Sequence, residues 1–156
     1  SICFGETIVI GANISGGIGS NYSFSWDNSL GNSFEHLVSP TTSTNYNVVV
    51  TDGCSEPAIG SIDIFVYPTF SLSFNTSTKD CYGELGYAKV NVTGNSNYTY
   101  QWNTNPIQTT DSINAAVARN YRVTVTDNAS NCSISDTISI PGYEDVFDQR
   151  DSCGSR

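Results

Sequence analysis

The run Tyr46-Asn47-Val48-Val49-Val50-Thr51-Asp52 constrains the fold more than any other stretch, because the chain writes it again as Tyr121-Arg122-Val123-Thr124-Val125-Thr126-Asp127. In both copies Tyr, Val and Val alternate onto one face of a β-branched run, the pattern of a half-buried strand in a sheet. Each copy ends in Thr-Asp and runs on to a cysteine, Cys54 or Cys132. Upstream of each lies a second alternating run, Tyr22, Phe24, Trp26 in one case and Tyr98, Tyr100, Trp102 in the other. Strand pairs this alike, met twice in one chain, predict one small β-sandwich built twice.

Around these pairs the remaining strands are read from alternation and punctuation. In the first copy they are 6–14, 33–38 and 61–67, with the glycine-rich run 15–20 as a turn and Pro68 as the boundary. In the second they are an additional lead-in strand through Phe70, Leu72 and Phe74, then 87–92, 112–117 and 134–140. No segment has a convincing helical period. The expected organisation is a sandwich over 1–67, a second over 68–141, and a linker or the start of a further repeat over 142–156. A Tyr opening such a strand is where sandwiches place a tyrosine corner, its phenol bonding back to loop backbone.

Sandwiches of roughly 70 residues bury little surface and need a staple. Cys3 and Cys54 stand 51 positions apart, as do Cys81 and Cys132, and each pair brackets one strand unit. The equal spacing favours disulfides Cys3–Cys54 and Cys81–Cys132 over metal binding, since neither Cys-x-x-Cys pairs nor partner histidines exist. Each would contribute roughly 4 kcal/mol in the chain-entropy model. Such bonds persist in an oxidising compartment, which predicts an extracellular, secreted or cell-surface location. Cys153 is left unpaired within the chain. It follows an aromatic run much as Cys81 does, and is read as the opening cysteine of a third repeat. The alternatives are a free or intermolecular thiol on a disordered tail, and addition of the 142–153 tail as a strand to the open edge of a neighbouring molecule's first sandwich.

The net charge is −9, with six Lys and Arg against fifteen Asp and Glu, which argues against nucleic acid and anionic membranes as partners. No apolar run approaches the ~20 residues of a spanning helix, so no membrane insertion is expected. The absence of methionine implies a processed form or an excerpt of a longer chain.

With those residues in view, both units resemble the immunoglobulin-like repeats of very large surface proteins of Bacteroidetes-type bacteria. The second is similar to a repeat of the SprB-type gliding-motility adhesin, through Cys81-Tyr82-Gly83-Glu84, Tyr98-Thr99-Tyr100-Gln101-Trp102, the Tyr121 to Asp127 strand, and Cys132. The first resembles the related domain with Ser39-Pro40-Thr41-Thr42-Ser43-Thr44 ahead of its Tyr46 strand. The resemblance implies two tandem immunoglobulin-like β-sandwiches, exported through the type IX route, serving as stalk or adhesive repeats. Their partners would be neighbouring repeats of the same polypeptide, surface polysaccharide or other cell-surface proteins. It carries no catalytic or ligand-binding residues.

The site candidates are few. His36 is the only histidine and has no nucleophile context around it, so a surface or edge-strand role is preferred to catalysis and no enzyme is expected. No cofactor is expected either. Calcium is considered at Asp27, Asp52, Asp80, Asp127 and the acidic tail with Glu144, Asp145, Asp148 and Asp151, but no Asp-x-Asp-x-Asp spacing is present and solvated acids are the preferred reading. Trp26 and Trp102 alternate in phase with core aromatics, which argues against exposed sugar platforms and against the alternative of a carbohydrate-binding accessory module of a glycoside hydrolase. A subunit of an extracellular filament is the third function considered. Asp111-Ser112-Ile113 and Asp136-Thr137-Ile138 match the O-glycosylation pattern of the resembled bacterial group, making Ser112 and Thr137 candidates against chance. Asn13, Asn21, Asn75, Asn91, Asn97, Asn128 and Asn131 lie in Asn-x-Ser/Thr sequons, which an abundance of Asn, Ser and Thr largely explains.

Overall fold

A computed structural model of the chain describes residues 1–19, 21–77, 86–94 and 97–140. These residues form strands and loops, with no helix among them. The chain divides into two compact units, Ser1–Thr69 and a second beginning at Phe70.

The second unit shows the architecture in full. One sheet has the order β11(Ser112–Ala116), β9(Gly86–Thr93), β8(Ser71–Ser77), and the other β10(Tyr98–Trp102), β12(Arg119–Asp127), β13(Ser133–Ile140). All neighbours are antiparallel. Their inner faces share one core, to which Ala88, Val90 and Ile113 come from the first sheet and Trp102, Tyr121, Val123, Val125 and Ile140 from the second. Three strands facing three, in this chain order, are the A-B-E and C-F-G sheets of an immunoglobulin-type sandwich. Period-two alternation is the cause. Tyr121, Val123 and Val125 are buried because every second residue of β12 points inward.

The first unit repeats the plan, with no strand among the described residues in the place of β8. Here β3(Ser23–Trp26), β5(Thr44–Thr51) and β6(Ala58–Ile64) form the C-F-G sheet, and β2(Ile8–Gly11) pairs with β4(Glu35–Val38) alone. The expected strand over 6–14 is therefore cut to four residues, whereas its counterpart β9 runs for eight with β8 along its other edge. The expected 61–67 strand is also divided. β6 ends at Ile64, the side chain of Phe65 is exposed, and β7(Val66–Tyr67) pairs in parallel with β1(Ile2–Cys3) instead. That exchange buries both Ile2 and Val66 in the first core, beside Ile10, Trp26, Tyr46, Val48 and Ile64.

Register aligns the two units residue by residue. Trp26 lies opposite Val48 and Trp102 opposite Val123. Each indole N–H donates to a carbonyl at 2.9 Å, Ser33 in one unit and Thr110 in the other. Further along, the Ala12 amide donates to the Phe34 carbonyl as the Val90 amide does to that of Asp111.

The expected disulfide Cys3–Cys54 is not formed: Cys3 is disulfide-bonded, while Cys54 is an exposed free thiol. Geometry accounts for this. Cys3 pairs with Tyr67, beyond the end of β6 where Ile64 meets Thr44, whereas Cys54 follows the opposite end of β5. Seven residue steps at ~3.3 Å separate those ends by roughly 23 Å, and a disulfide needs Cα atoms within about 7 Å. Cys132 is buried and disulfide-bonded. Cys81, Cys153 and the 142–156 tail lie outside the described residues.

The tyrosine corner forms in the second unit, where the Tyr121 hydroxyl donates to the Val117 carbonyl at 2.9 Å. Tyr46 is equally buried, but its hydroxyl has no such bond among the described residues. Tyr121→Phe is expected to destabilise the second unit by about 1 kcal/mol, the ordinary net value of one such bond, and Tyr46→Phe to change stability far less. Denaturant unfolding of both variants checks this, and equal losses would be the wrong outcome. In the folded, unreduced protein Cys54 is expected to react with a maleimide. A Cys3–Cys54 peptide in a non-reducing digest would contradict the structure.

Candidate functional site

The most organised polar centre of the first unit is Asp52, the residue that ends the repeated strand. Its Oδ2 accepts the amides of Ile18 at 2.9 Å and Gly19 at 3.1 Å, and the hydroxyl of Ser55 at 3.0 Å. Its Oδ1 accepts the amides of Cys54 at 3.0 Å and Ser55 at 2.7 Å. One carboxylate thus fastens the loop after β2 to the turn after β5. The turn needs Gly53, whose φ is +76°, a conformation that side chains resist. The loop needs Gly19, where an added Cβ would lie 2.6 Å from the Asp52 carbonyl oxygen. The four amides of Ser55, Gly19, Cys54 and Ile18 hold the Asp52 carboxyl far below the usual carboxylate range.

Beside this clamp lies a concavity of about 310 Å³ whose walls include Ile14, Gly16, Tyr22, Val50 and Ala58. The Tyr22 hydroxyl closes the loop by donating to the Gly16 carbonyl at 2.8 Å. This concavity is at the end of the sandwich where the loop after β2 and the turn after β5 meet. Sequence reading singled out Asp52 only as a calcium candidate and did not find the concavity. Its single signal was Ile14, an aliphatic residue followed at once by the glycine-rich turn.

The other acidic candidates are also bonded into loops. Asp27 accepts the Asn47 amide at 2.9 Å and the Asn47 side chain at 2.7 Å, and the Asn28 side chain at 2.9 Å. The Asn47 side chain, then its amide, lowers the Asp27 pKa. In the second unit Asn103 stands in the same place and accepts the Arg122 amide at 2.8 Å. A neutral amide does the same work, so the charge of Asp27 is not what the position requires. Asp127 accepts the Ala129 amide at 2.9 Å and the Ser130 hydroxyl at 2.8 Å, a shorter form of the Asp52 turn. Asp80 lies outside the described residues. Among the described residues no three His, Cys, Asp or Glu side chains gather as a metal site.

His36 stands edge-on to Trp26, centroids 5.8 Å apart, with Nε2 3.1 Å from the Gly31 carbonyl. Trp26 and Trp102 are 7% and 1% exposed, so both indoles are core residues rather than a sugar platform. Of the two glycosylation candidates, Thr137 is exposed on β13, an outer strand of its sheet, while Ser112 is half-buried on β11 beside the Lys89–Asp111 ion pair at 3.1 Å.

Because the folded Asp52 carboxyl titrates below its unfolded value of about 3.9, its contribution is complete above that pH and is lost as pH falls below it. Asp52→Asn turns an N–H toward the amides that Oδ2 accepts. Hydrogen exchange at Ile18, Gly19, Cys54 and Ser55 is expected to accelerate at pH 7 in this variant while β12 is unaffected. Its exchange should also depend less on pH between 5 and 3 than that of the parent. Unchanged exchange at these four amides would show that the clamp does not hold the loops.

No family model matches the chain, and no curated protein does. Among solved structures it is similar to the amphioxus IgVJ-C2 molecule, at 8% identity and a TM-score of 0.35, over 88% of this chain and 97% of that one. A likeness this slight carries no argument about fold or function.

Proposed function

We propose that the chain is a non-enzymatic structural or adhesive module of a large secreted bacterial cell-surface protein, its units acting as stalk or adhesin repeats beside further repeats of the same polypeptide. The observation that carries this reading is the fate of the polar side chains in a sandwich built twice. Asp27, Asp52 and Asp127 each bond into the loops of their own unit, and His36 packs on Trp26. Such bonding fixes loops and spends the groups that chemistry would need. The bonded Cys3 and Cys132 support an oxidising location, and the SprB-type pattern of the Tyr98 and Tyr121 strands supports the bacterial surface. Burial of both tryptophans weighs against the carbohydrate-binding alternative, which needs exposed rings.

An antibody against the folded chain is expected to label intact cells of the source organism, and labelling confined to permeabilised cells would defeat the surface assignment. Tryptophan emission is expected to resist acrylamide quenching and to ignore added polysaccharide. A saturable shift with polysaccharide would favour the carbohydrate-binding reading instead.

A further inference from the structure

The turn after β5 begins with Asp52-Gly53, the one Asp-Gly step in a chain that has no Asn-Gly. Asp-Gly is the step at which a polypeptide most readily rearranges by itself. Glycine has no Cβ to shield its amide nitrogen, and that nitrogen can close a five-membered ring on the side-chain carbon of the aspartate before it. Gly53 is open to such a reaction. It is exposed, and nothing lies within 4 Å of where a Cβ would stand. The second unit builds its counterpart turn without this step, since Asn128 follows Asp127 and Asn131 takes the left-handed conformation at φ +58°.

The Asp52 clamp opposes ring closure in three ways. To meet the Gly53 nitrogen, the carboxyl group must turn, and both of its oxygens are held. Oδ1 accepts the amides of Cys54 and Ser55, while Oδ2 accepts those of Ile18 and Gly19 and the Ser55 hydroxyl. Turning the group breaks these bonds together. The loop also stands close against it, for a Cβ on Gly17 would lie 3.0 Å from Oδ2 and one on Gly19 3.2 Å from the Asp52 Cβ. Finally, the donated amides keep the group ionised, and a carboxylate is a far poorer electrophile than a carboxylic acid.

We propose that Asp52-Gly53 is a latent isoaspartate site, held unreactive by the loop that Asp52 fastens, and that its rearrangement releases that loop irreversibly. When the clamp opens and the carboxyl takes up a proton, the Gly53 nitrogen bonds to Asp52 Cγ. The nitrogen's proton and the carboxyl's hydroxyl leave as water, and a succinimide results. Water then adds at the main-chain carbonyl carbon of Asp52, and the original peptide C–N bond breaks. Gly53 stays attached through Cγ, while the former carbonyl becomes a free carboxylate. One water leaves and one enters, so no other reactant is needed. The product has one more carbon in its main chain and a carboxylate one carbon nearer to it, so it cannot reach the amides of both loop and turn.

The test incubates the full chain near neutral pH in heavy-oxygen water. Each succinimide that reopens leaves one heavy oxygen on residue 52, whichever isomer forms, and peptide mass mapping reads it. Uptake is expected to be at least about a hundredfold slower in the folded chain than in guanidinium, because only the open fraction reacts. Ser55→Ala removes one bond to the carboxylate and should speed uptake in the folded chain about tenfold. Gly19→Ala, whose Cβ would lie 2.6 Å from the Asp52 carbonyl oxygen, should speed it further. Val48 and Val50 amides should stay protected in both variants, which separates an open clamp from an unfolded unit. Isolated isoaspartate chains should exchange quickly at Ile18 and Gly19 with β5 intact. Equal uptake in folded and unfolded parent would overturn the proposal. So would no uptake in the unfolded chain, or a folded rate indifferent to both substitutions.

Discussion

The contact on which both units depend is the cross-strand pair of a tryptophan and a valine, Trp26 with Val48 and Trp102 with Val123. An aromatic ring opposite a β-branched residue fills the inner face of the C-F-G sheet and fixes its register. A buried indole must also place its N–H. Both do so on a carbonyl just before the strand of the opposite sheet, Ser33 ahead of β4 and Thr110 ahead of β11. One residue therefore sets the register within one sheet and the position of the other. A one-residue slip would turn Tyr121, Val123 and Val125 toward solvent together.

Once that frame is set, the two units part company over the strand β8. Where it is present, β9 extends for eight residues and the core beneath reaches full burial at Ala88, Val90 and Ile113. Where no such strand lies alongside, β2 keeps four residues, and the chain beyond it turns into a loop that Asp52 must hold. Asp52 accepts five hydrogen bonds there, from Ile18, Gly19, Cys54 and twice from Ser55. The carboxylate orders the loop through its backbone amides. It orders backbone without covering apolar surface, which is why Ile14 and Tyr22 stay exposed.

Polar residues across the chain serve the same economy of loops. Asp27 and Asn103 accept the amide of the residue after the buried Tyr, one charged and one neutral, and the geometry is alike. Paired hydroxyls line the outer face of the second C-F-G sheet, Thr124 with Ser135 and Thr126 with Ser133 at 2.8 Å each. The exposed face of that sheet is thus built of short polar side chains that bond across strands, while Asp27, Asp52 and Asp127 bond into the loops at strand ends.

The sequence by itself determined the strands, their inward faces and the repeat, because each rests on local alternation: Tyr46, Val48 and Tyr121, Val123, Val125 are buried as their spacing requires. It also placed both tryptophans in the core by phase alone. Tertiary structure decided what depends on residues distant in the chain. Equal cysteine spacing suggested Cys3–Cys54, yet β1 carries Cys3 to the end of the sandwich away from Cys54, a fact of topology that no spacing records. The strand expected over 6–14 stops at Gly11, and that over 61–67 breaks at Phe65 because β1 takes up its end. Asp52 looked like any acid on a turn. Its role came from Ile18 and Gly19, more than thirty residues away, whose amides only the folded loop could bring to it.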